Sequence, residues 1–260
     1  MKQPKSKHIV FVTGAFVSNL GWDKWISYFE QQGYIVTAPA WPEKAGSPAV
    51  LRQKHPNHEL AKVTLTEVVD HYASIISSLP ELPIVIGHSL GGLITQLLVQ
   101  RDLAALAVAY HSVPAQGVLS FKWSFLKSVT PAFGFLSSVE DTYLMPFRHW
   151  QYTFTNGMPL DYQKTTYDQL VIPESKRALR GAISKEGKID FKRPHVPLLF
   201  VSGSEDNIMP ASLNYSNYKK YRNGTSVINY KEFPGRNHLA MDHQNWKEDA
   251  DYILNWIGKQ

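Results

Sequence analysis

The fold is decided by residues 83–99, which read Pro83-Ile84-Val85-Ile86-Gly87-His88-Ser89-Leu90-Gly91-Gly92-Leu93-Ile94-Thr95-Gln96-Leu97-Leu98-Val99. A short apolar run precedes a G-x-S-x-G motif and a longer apolar run follows it, so the pattern predicts a strand, a tight turn and a helix. The serine of such a turn takes strained backbone angles, so Gly87 and Gly91 on either side of Ser89 must lack bulk. The turn holds the hydroxyl at a helix N-terminus, where free N–H groups stabilise a developing negative charge. Ser89 is therefore the predicted nucleophile.

Strand and helix patterns alternate on both sides of this turn, which is typical of a parallel sheet covered by helices. Residues 43–58 interrupt the alternation and read as a polar loop. The predicted strands are 8–13, 34–37, 83–86, 105–110, 197–202 and 226–233, and the predicted helices are 22–32, 60–78, 93–99, 211–221 and 245–257. We therefore expect an α/β fold with a mainly parallel sheet of about six strands.

A second interruption is longer and covers residues 112–194. This segment is rich in aromatic residues, is punctuated by prolines and shows no clear strand periodicity. The pattern predicts a mostly helical insertion. The expected organisation is a core made of residues 1–111 and 195–260, with residues 112–194 as a cap.

Composition limits the class of protein. The chain has 260 residues, of which 43% are hydrophobic, and this suits one α/β domain with an insertion. It has no cysteine, so disulfide frameworks and thiol chemistry are excluded. No apolar run approaches the ~18 residues that a membrane-spanning helix needs. The lysine-rich start imitates a signal peptide, but the apolar stretch at residues 9–12 is short and fits a core strand better, so we expect a cytoplasmic protein.

The net charge is +5, and residues 112–194 carry +4 of it, from 11 basic and 7 acidic side chains. Attraction of anionic substrates is one interpretation of this excess. A solvated outer face is the simpler one, because dispersed basic residues usually serve solubility. Nothing in the sequence resembles a nucleic-acid-binding module, so the expected partner is a small molecule.

The late part of the sequence supplies a base and an acid for Ser89. A serine hydroxyl needs a base within hydrogen-bond reach and a group that orients the base, and after such a turn the chain order is serine, acid, histidine. Asp206 follows the strand predicted at residues 197–202, and His238 follows the last predicted strand. Loops at the carboxyl ends of parallel strands face ligands. Glu205 stays open as an alternative acid, because predicted element boundaries shift by a few residues.

Other histidines and loops are weaker candidates for a catalytic or metal-binding role. His88 lies inside the turn and is predicted to point away from the reacting face. His55 and His58 form only an H-x-x-H pair in a polar loop, which is too little for a metal site. The loop of residues 111–115 carries no carboxylate that could replace Asp206. We therefore expect neither a metal nor an organic cofactor.

Two backbone N–H groups are needed to hold the oxyanion that forms when a serine attacks a carbonyl. One is expected from Leu90, the residue after the nucleophile, and the other from the loop that follows the first strand. Gly14 lets that loop come close, and the N–H of Ala15 is the predicted donor. The N–H of Phe16 is the adjacent alternative.

Together these motifs resemble the α/β-hydrolase fold superfamily over nearly the whole chain. The resemblance rests on residues 13–15, Gly21-Trp22, Trp25, residues 87–92, residues 204–206 with Pro210, and residues 235–241. The compact start before His8 is similar to the branch that holds plant methyl esterases and hydroxynitrile lyases, and bacterial hydrolases of unassigned substrate share these features. The resemblance implies a three-layer α/β hydrolase fold with a mostly helical cap.

Differences from these relatives narrow the expected activity. Thr13 stands where many relatives carry a histidine, a change that affects loop hydrogen bonding without removing the oxyanion hole. The lyases of this branch carry a threonine at the position of Gly14 and a lysine soon after the catalytic histidine, whereas this chain has Leu239-Ala240-Met241 there. Dehalogenases and many epoxide hydrolases place an aspartate where Ser89 stands. The pattern therefore resembles that of the esterases.

The resemblance also implies that the cap shapes an apolar pocket over Ser89. Alternatively, most of its aromatic side chains only pack the cap onto the core, and a minority face the substrate. Trp25 is expected in the core. The candidate substrate-binding residues are Phe16, Trp22, Trp123, Phe147, Trp150 and Phe154.

The expected activity is that of a serine esterase, with Ser89, His238 and Asp206 as a triad and an acyl-enzyme intermediate. Its substrate would be a small to medium ester that is apolar on the acyl side. The same site would also suit a lactonase, a thioesterase or a cofactor-free perhydrolase. A hydrolase fold with an intact triad can instead serve as a ligand receptor that turns over slowly.

Overall fold

The computed structural model describes residues 6–120, 122–134, 137–221 and 224–260. The strands in these ranges are β1 (His8–Val12), β2 (Ile35–Thr37), β3 (Ile84–His88), β4 (Leu106–Tyr110), β5 (Leu198–Gly203) and β6 (Ile228–Phe233). They form one sheet in the order β2-β1-β3-β4-β5-β6, and every neighbouring pair is parallel. The predicted parallel sheet is confirmed.

The strand order places the site. It changes direction at β1, because the chain first moves outward to β2 and then returns to the other side of β1 with β3. The carboxyl ends of β1 and β3 meet at this switch point, where open α/β sheets bind ligands. Ser89 directly follows β3, and Ala15 lies shortly after β1. The topology therefore brings the predicted nucleophile and the predicted oxyanion loop together.

Helices pack on both faces of the sheet. They are α1 (Asp23–Gln31), α2 (Pro48–Gln53), α3 (His58–Lys62), α4 (Leu65–Ser77), α5 (Leu90–Gln100), α6 (Trp123–Phe133), α7 (Phe147–Thr153), α8 (Leu160–Leu170), α9 (Lys176–Gly181), α10 (Ala211–Tyr218) and α11 (Trp246–Ile257). Short 3-10 helices span Asn19–Trp22, Lys185–Gly187 and Ala240–Asp242. Within the described ranges, none of the helices has the length and apolarity required to cross a membrane.

Two local predictions about the chain before β3 are wrong. Residues 43–58, predicted as a polar loop, contain α2, whose first turn is capped by the Ser47 side chain. The helix predicted at residues 60–78 is split into α3 and α4. Thr64 makes the break, because its side chain accepts from the N–H of Glu67 while the Glu67 carboxylate accepts from the N–H of Thr64. This reciprocal capping box starts a new helix.

The apolar core lies on both faces of the sheet, and the alternating side chains of β1 show the division. Val10 and Val12 face the layer that contains α4, α5 and helices of residues 112–194. Ile9 and Phe11 face the opposite layer, which is formed by α1 and α11. The result is a three-layer arrangement of helices, sheet and helices.

Where residues 112–194 are described, their regular structure is helical: they contain α6 to α9 and the 3-10 helix Lys185–Gly187, and they add no strand to the sheet. Two isolated antiparallel contacts tie them together and to the core: Tyr143 with Glu174, and Val17 with Val171. The second contact reaches the loop that follows β1. The limits of the cap, at residues 112 and 194, stay a prediction.

Candidate active site

The turn around Ser89 has strained geometry. Its φ of 58° and ψ of −122° fall where residues with side chains are rarely found. A side-chain carbon at Gly87 would lie 2.1 Å from the carbonyl oxygen of Gly91, and one at Gly91 would lie 2.1 Å from that of Val12. Neither position tolerates a side chain, so the close packing of β1, β3 and α5 holds Ser89 at the start of α5.

Side chains that follow three different strands meet at this turn. The Nε2 of His238 lies 2.9 Å from Oγ of Ser89, and Nδ1 of His238 lies 2.7 Å from Oδ2 of Asp206. All three residues are buried. A proton on Nδ1 donates to the carboxylate and leaves the Nε2 lone pair free to accept from the serine hydroxyl. The structure thus brings together the serine, the histidine and the acid that the sequence predicts.

The loop after β5 decides between Asp206 and Glu205. The Oδ1 of Asp206 accepts from the N–H of Ile208 at 3.0 Å and from that of Met209 at 2.6 Å. These bonds turn the other carboxylate oxygen toward His238. Glu205 is exposed and takes no part in this network. The geometry therefore favours Asp206 over the alternative.

A second histidine on the same carboxylate was missed by sequence reasoning. Nδ1 of His111 lies 2.7 Å from Oδ2 of Asp206, the oxygen that also binds His238. Burial disfavours the ionised form of Asp206, but its contacts with His238 and His111 outweigh burial and hold its pKa below the ordinary value. His111 directly follows β4, so its place at the carboxyl edge of the sheet is the signal that could have identified it.

The imidazole of His238 is suited to act as a base. Burial lowers its pKa below the ordinary value of 6.5, and the charge of Asp206 opposes this only in part. The ring of Phe154 meets it edge-on, with the ring centroids 4.7 Å apart, and helps to exclude water. A neutral imidazole can take the proton of a serine hydroxyl, as a general base must.

The loop after β1 approaches Ser89 closely at Gly14. A side-chain carbon at Gly14 would lie 2.7 Å from Cβ of Ser89. Ala15 and Leu90 line the cavity next to Ser89, and their backbone N–H groups have no acceptor within the described part of the chain. The N–H of Phe16 instead donates to a buried carboxylate of the insertion at 2.9 Å. Ala15 and Leu90 therefore offer free donors, whereas the alternative, Phe16, does not.

A cavity of about 250 Å³ opens beside Ser89. Its described lining is apolar except for Ser89 and Gln116, and it includes no charged side chain. The lining residues are Ala15, Phe16, Ser89, Leu90, residues 113–119, Phe125, Val129, Ala132, Phe133, Leu179, Ala182, Ile183, Ile208 and Met209. A concave apolar site with few polar groups is typical of small-molecule binding.

Phe16 is the candidate substrate-binding residue that does line this cavity. Trp22 does not, which corrects the expectation for it. Its ring stacks on Phe11 with the centroids 4.4 Å apart, on the opposite face of the sheet. The alternation along β1 is the reason, because Phe11 points into the α1 layer and Trp22 packs there with it. Trp25, expected in the core, belongs to the same buried cluster.

The four aromatic candidates in the insertion are also corrections, because none of them lines the cavity. Trp123 is 75% exposed on α6. Phe147 packs edge-on against Tyr167, with ring centroids 5.3 Å apart, and Trp150 stacks on Phe154 at 4.5 Å. Their positions follow from how each helix is rotated in the packed layer. The aromatic residues that line the cavity from α6 are Phe125 and Phe133.

The remaining histidines of the sequence analysis have structural contacts. The Nε2 of His88 lies 2.8 Å from the carbonyl oxygen of His238. His55 and His58 each bond to the insertion, through the Thr142 hydroxyl and a backbone carbonyl. These contacts attach α3 and the loop before it to the insertion.

One group of the described residues has ligand atoms close enough together to hold a metal ion, and it consists of His111, Asp206 and His238. The two Nδ1 atoms of this group already share Oδ2 of Asp206 through hydrogen bonds of 2.7 Å each. This arrangement fits a hydrogen-bonded network around the acid.

The family follows from comparison with protein-family models. The model described as the alpha/beta hydrolase family matches residues 9–248. The chain belongs to this family. The match includes the turn at Ser89 and the loops of Asp206 and His238. A search of curated proteins finds no match for the chain.

Solved structures share the fold at low sequence identity. A methylesterase from Arabidopsis is 15% identical with a TM-score of 0.69, and the match covers 97% of this chain and 99% of that one. An extracellular alpha/beta-hydrolase from a Paenibacillus species is 19% identical with a TM-score of 0.72, covering 97% and 99%. Tomato methylketone synthase I complexed with 2-tridecanone is 18% identical with a TM-score of 0.69, covering 98% of each chain. The predicted α/β hydrolase fold is confirmed.

Proposed function

We propose that this chain is a serine hydrolase that cleaves carboxylic esters with an apolar, uncharged acyl group. The observation that carries the proposal is the continuous contact from Ser89 through His238 to Asp206, at 2.9 Å and 2.7 Å. This contact lies beside an apolar cavity and two backbone N–H groups that have no acceptor in the described chain. Nucleophile, base, orienting acid and oxyanion donors are the parts that acyl transfer needs.

In the first half of the reaction, Nε2 of His238 takes the proton of Ser89 as the serine oxygen bonds to the carbonyl carbon. The carbonyl electron pair moves to the oxygen, and the N–H groups of Ala15 and Leu90 bind the oxyanion. Asp206 stabilises the imidazolium ion that forms. Collapse of the intermediate breaks the bond to the alcohol oxygen, which takes the proton from His238 and leaves an acyl-enzyme.

In the second half, water takes the place of the alcohol. His238 accepts a proton from the water as its oxygen bonds to the acyl carbon, and the same donors hold the second oxyanion. Collapse breaks the bond to Ser89, whose oxygen regains a proton from His238. The products are a carboxylic acid and the free enzyme.

The cavity supports an apolar acyl group. A charged group placed there would lose its water shell without gaining a partner, which is costly, whereas each methylene that is buried contributes about 0.8 kcal/mol. Of the solved structures that share the fold, one holds 2-tridecanone and another is a methylesterase, and an apolar ester is in keeping with both.

A panel of matched substrates tests the proposal. Purified protein is assayed with nitrophenyl esters, thioesters and lactones of the same acyl groups, and for peracid formation, with Ser89→Ala as the matched control. We expect ester hydrolysis that is fastest on apolar acyl groups and absent in the control. Preferred turnover of thioesters, lactones or peroxide would replace the ester assignment. Negligible turnover of every substrate, with tight binding of a ligand, would indicate a receptor instead.

A further inference from the structure

The loop that supplies the Ala15 donor is attached to the insertion by backbone hydrogen bonds. The N–H of Ser18 donates to the carbonyl of Leu170 at 2.8 Å, and the N–H of Ile172 donates to the carbonyl of Phe16 at 2.9 Å. This short antiparallel contact means that the insertion forms one side of the loop. The position of the predicted oxyanion donor therefore depends on residues far along the chain, since Phe16 and Glu174 are 158 positions apart.

A buried ion pair completes this attachment. Oε2 of Glu174 accepts from the N–H of Phe16 at 2.9 Å and from Nζ of Lys44 at 2.5 Å, and Oε1 accepts from the N–H of Ser175 at 2.8 Å. The Glu174 side chain is 0% exposed and that of Lys44 is 3% exposed. The ammonium group of Lys44 also lies 3.8 Å from the ring centroid of Trp41. Sequence reasoning did not identify either member of the pair.

The bond to Glu174 has a conformational consequence. Phe16 has a φ of 69°, a left-handed conformation that is unfavourable for a residue with a side chain. The charged acceptor holds the N–H of Phe16 away from the cavity while the Phe16 ring lines it. The N–H of Phe16 belongs to the peptide unit that joins Ala15 to Phe16, so this bond fixes that unit. Only the φ and ψ angles of Ala15 then separate it from the unit that carries the N–H of Ala15, which limits how that N–H can turn. Ala15 lines the cavity, and its N–H is the one left without an acceptor in the described part of the chain.

The pair also has an electrostatic consequence. Phe16 is the next residue after Ala15, and successive Cα atoms are about 3.8 Å apart, so the carboxylate of Glu174 lies close to the predicted donor at Ala15. An unbalanced negative charge there would oppose the negative charge that develops on the substrate oxygen. Lys44 balances it.

We propose that Glu174 and Lys44 are positioning residues for the oxyanion hole: Glu174 fixes the loop so that Ala15 donates into the site, and Lys44 neutralises the charge that this requires. The inference rests on the proposed function, because it concerns the same oxyanion. It assigns to the insertion a part in the chemical step in addition to its part in lining the cavity.

The test compares two double variants that leave no unpaired charge. Glu174→Gln with Lys44→Met keeps an acceptor for the N–H of Phe16, whereas Glu174→Leu with Lys44→Met removes it. Loss of one oxyanion donor costs on the order of 10² to 10³ in kcat, so we expect the Leu/Met variant to lose about 10- to 100-fold in kcat with KM within about twofold. The Gln/Met variant should stay within about threefold of wild type.

The affinity of a reversible inhibitor separates a positioning role from a purely structural one, because a packing change alone would not alter it selectively. A trifluoromethyl ketone forms an oxyanion on the serine, and the matching methyl ketone binds mainly through its apolar chain. We expect the Leu/Met variant to lose affinity for the first in proportion to kcat and to keep its affinity for the second. Lys44→Met alone is a second arm, because it keeps the acceptor but leaves the charge unbalanced. Its kcat should fall about tenfold, and adding Glu174→Gln should restore it.

The matched control is the exposed pair Glu59 and Lys62 on α3, substituted as Glu59→Gln with Lys62→Met. Each measured rate is divided by the folded fraction of that variant, which urea unfolding gives. If one of the double variants does not fold, Lys44→Met and its rescue by Glu174→Gln test the proposal instead. Equal kcat values for Gln/Met and Leu/Met, or equal losses of both ketones, would overturn the positioning role. A wild-type protein that hydrolyses no ester would overturn the proposed function instead, before any variant is compared.

Discussion

The two sides of Ser89 are built in different ways. On one side, His238, Asp206 and His111 stand where three neighbouring strands end, and hydrogen bonds of 2.7 to 2.9 Å join them to each other and to Ser89. On the other side, the cavity is lined mainly by apolar side chains, many of them from residues 112–194. The sheet positions the polar side, and helix packing positions the apolar one.

The two sides also differ in the kind of interaction that each would contribute to the reaction. In the proposed reaction, groups on the polar side act on charge that develops in the transition state, where losing one of them costs several powers of ten in rate. The cavity acts through burial, and a methylene worth about 0.8 kcal/mol changes kcat/KM roughly fourfold. We therefore expect substitutions on the polar side to abolish turnover and substitutions in the cavity to change substrate choice.

The largest effect is expected at the serine itself. Ser89→Ala removes the proposed nucleophile, so kcat for ester hydrolysis should fall by a factor on the order of 10⁶. Steady-state and burst kinetics on a nitrophenyl ester measure this, with circular dichroism as the check on folding. Full activity in the folded variant would mean that the polar side does not carry the reaction.

The next largest effect is expected at the acid. Asp206→Asn disfavours the imidazole tautomer that carries its proton on Nδ1, and kcat should fall by roughly 10⁴. Glu205→Gln is the adjacent control and should be milder by at least about tenfold, because Glu205 lies outside the network. If Glu205→Gln lowers kcat more than Asp206→Asn does, Glu205 and not Asp206 is the acid that orients His238.

A smaller effect is expected in the cavity. Phe125 lines it from α6, whereas Trp123, two residues earlier on the same helix, is 75% exposed. Phe125→Ala should enlarge the cavity and move the optimum of kcat/KM to longer acyl chains, by about fourfold for each added methylene that fits. Trp123→Ala should leave the optimum unchanged. A shift in the Trp123 variant alone would place the acyl group on the other face of α6.

The smallest effect concerns pH. Asp206, His111 and His88 face His238, and burial lowers the pKa of His238 below 6.5. His238 must be neutral to act as a base, so kcat/KM should persist as pH falls and drop only with a midpoint below 6.5. In Asp206→Asn, residual activity should have a still lower midpoint, because the charge that favours the imidazolium is gone. A wild-type midpoint above 6.5, with the protein fully folded, would contradict this description of the base.

The polar side is also the side that the sequence predicts best. Ser89, Asp206 and His238 each follow a strand with a clear apolar pattern, and parallel strands end at one edge of a sheet, so chain order alone brings them together. His111 meets the same criterion, but its loop holds no carboxylate, so the sequence gives no reason to assign it a role. Catalytic geometry of this kind is set by strand ends and short loops.

The apolar side is predicted poorly for a physical reason. Whether an aromatic residue of a helix faces a cavity or the core depends on the rotation of that helix, and a stretch rich in aromatic residues does not specify it. The rings of Trp150 and Phe154 stack on each other, and the side chain of Trp123 is exposed to solvent. The pair of Lys44 and Glu174 is harder still, because 130 residues separate its members and no local motif links them.

The most direct test of the account is covalent labelling with a fluorophosphonate, which reacts only with a serine that a base has activated and whose site binds an oxyanion. The labelled protein is digested and the modified residue is identified by mass spectrometry, with Ser89→Ala and the exposed Ser204→Ala as controls. The account predicts one label, on Ser89, in the wild type and in the Ser204 variant, and none in the Ser89 variant. A label on another serine, or no label on a protein that hydrolyses esters, would contradict it.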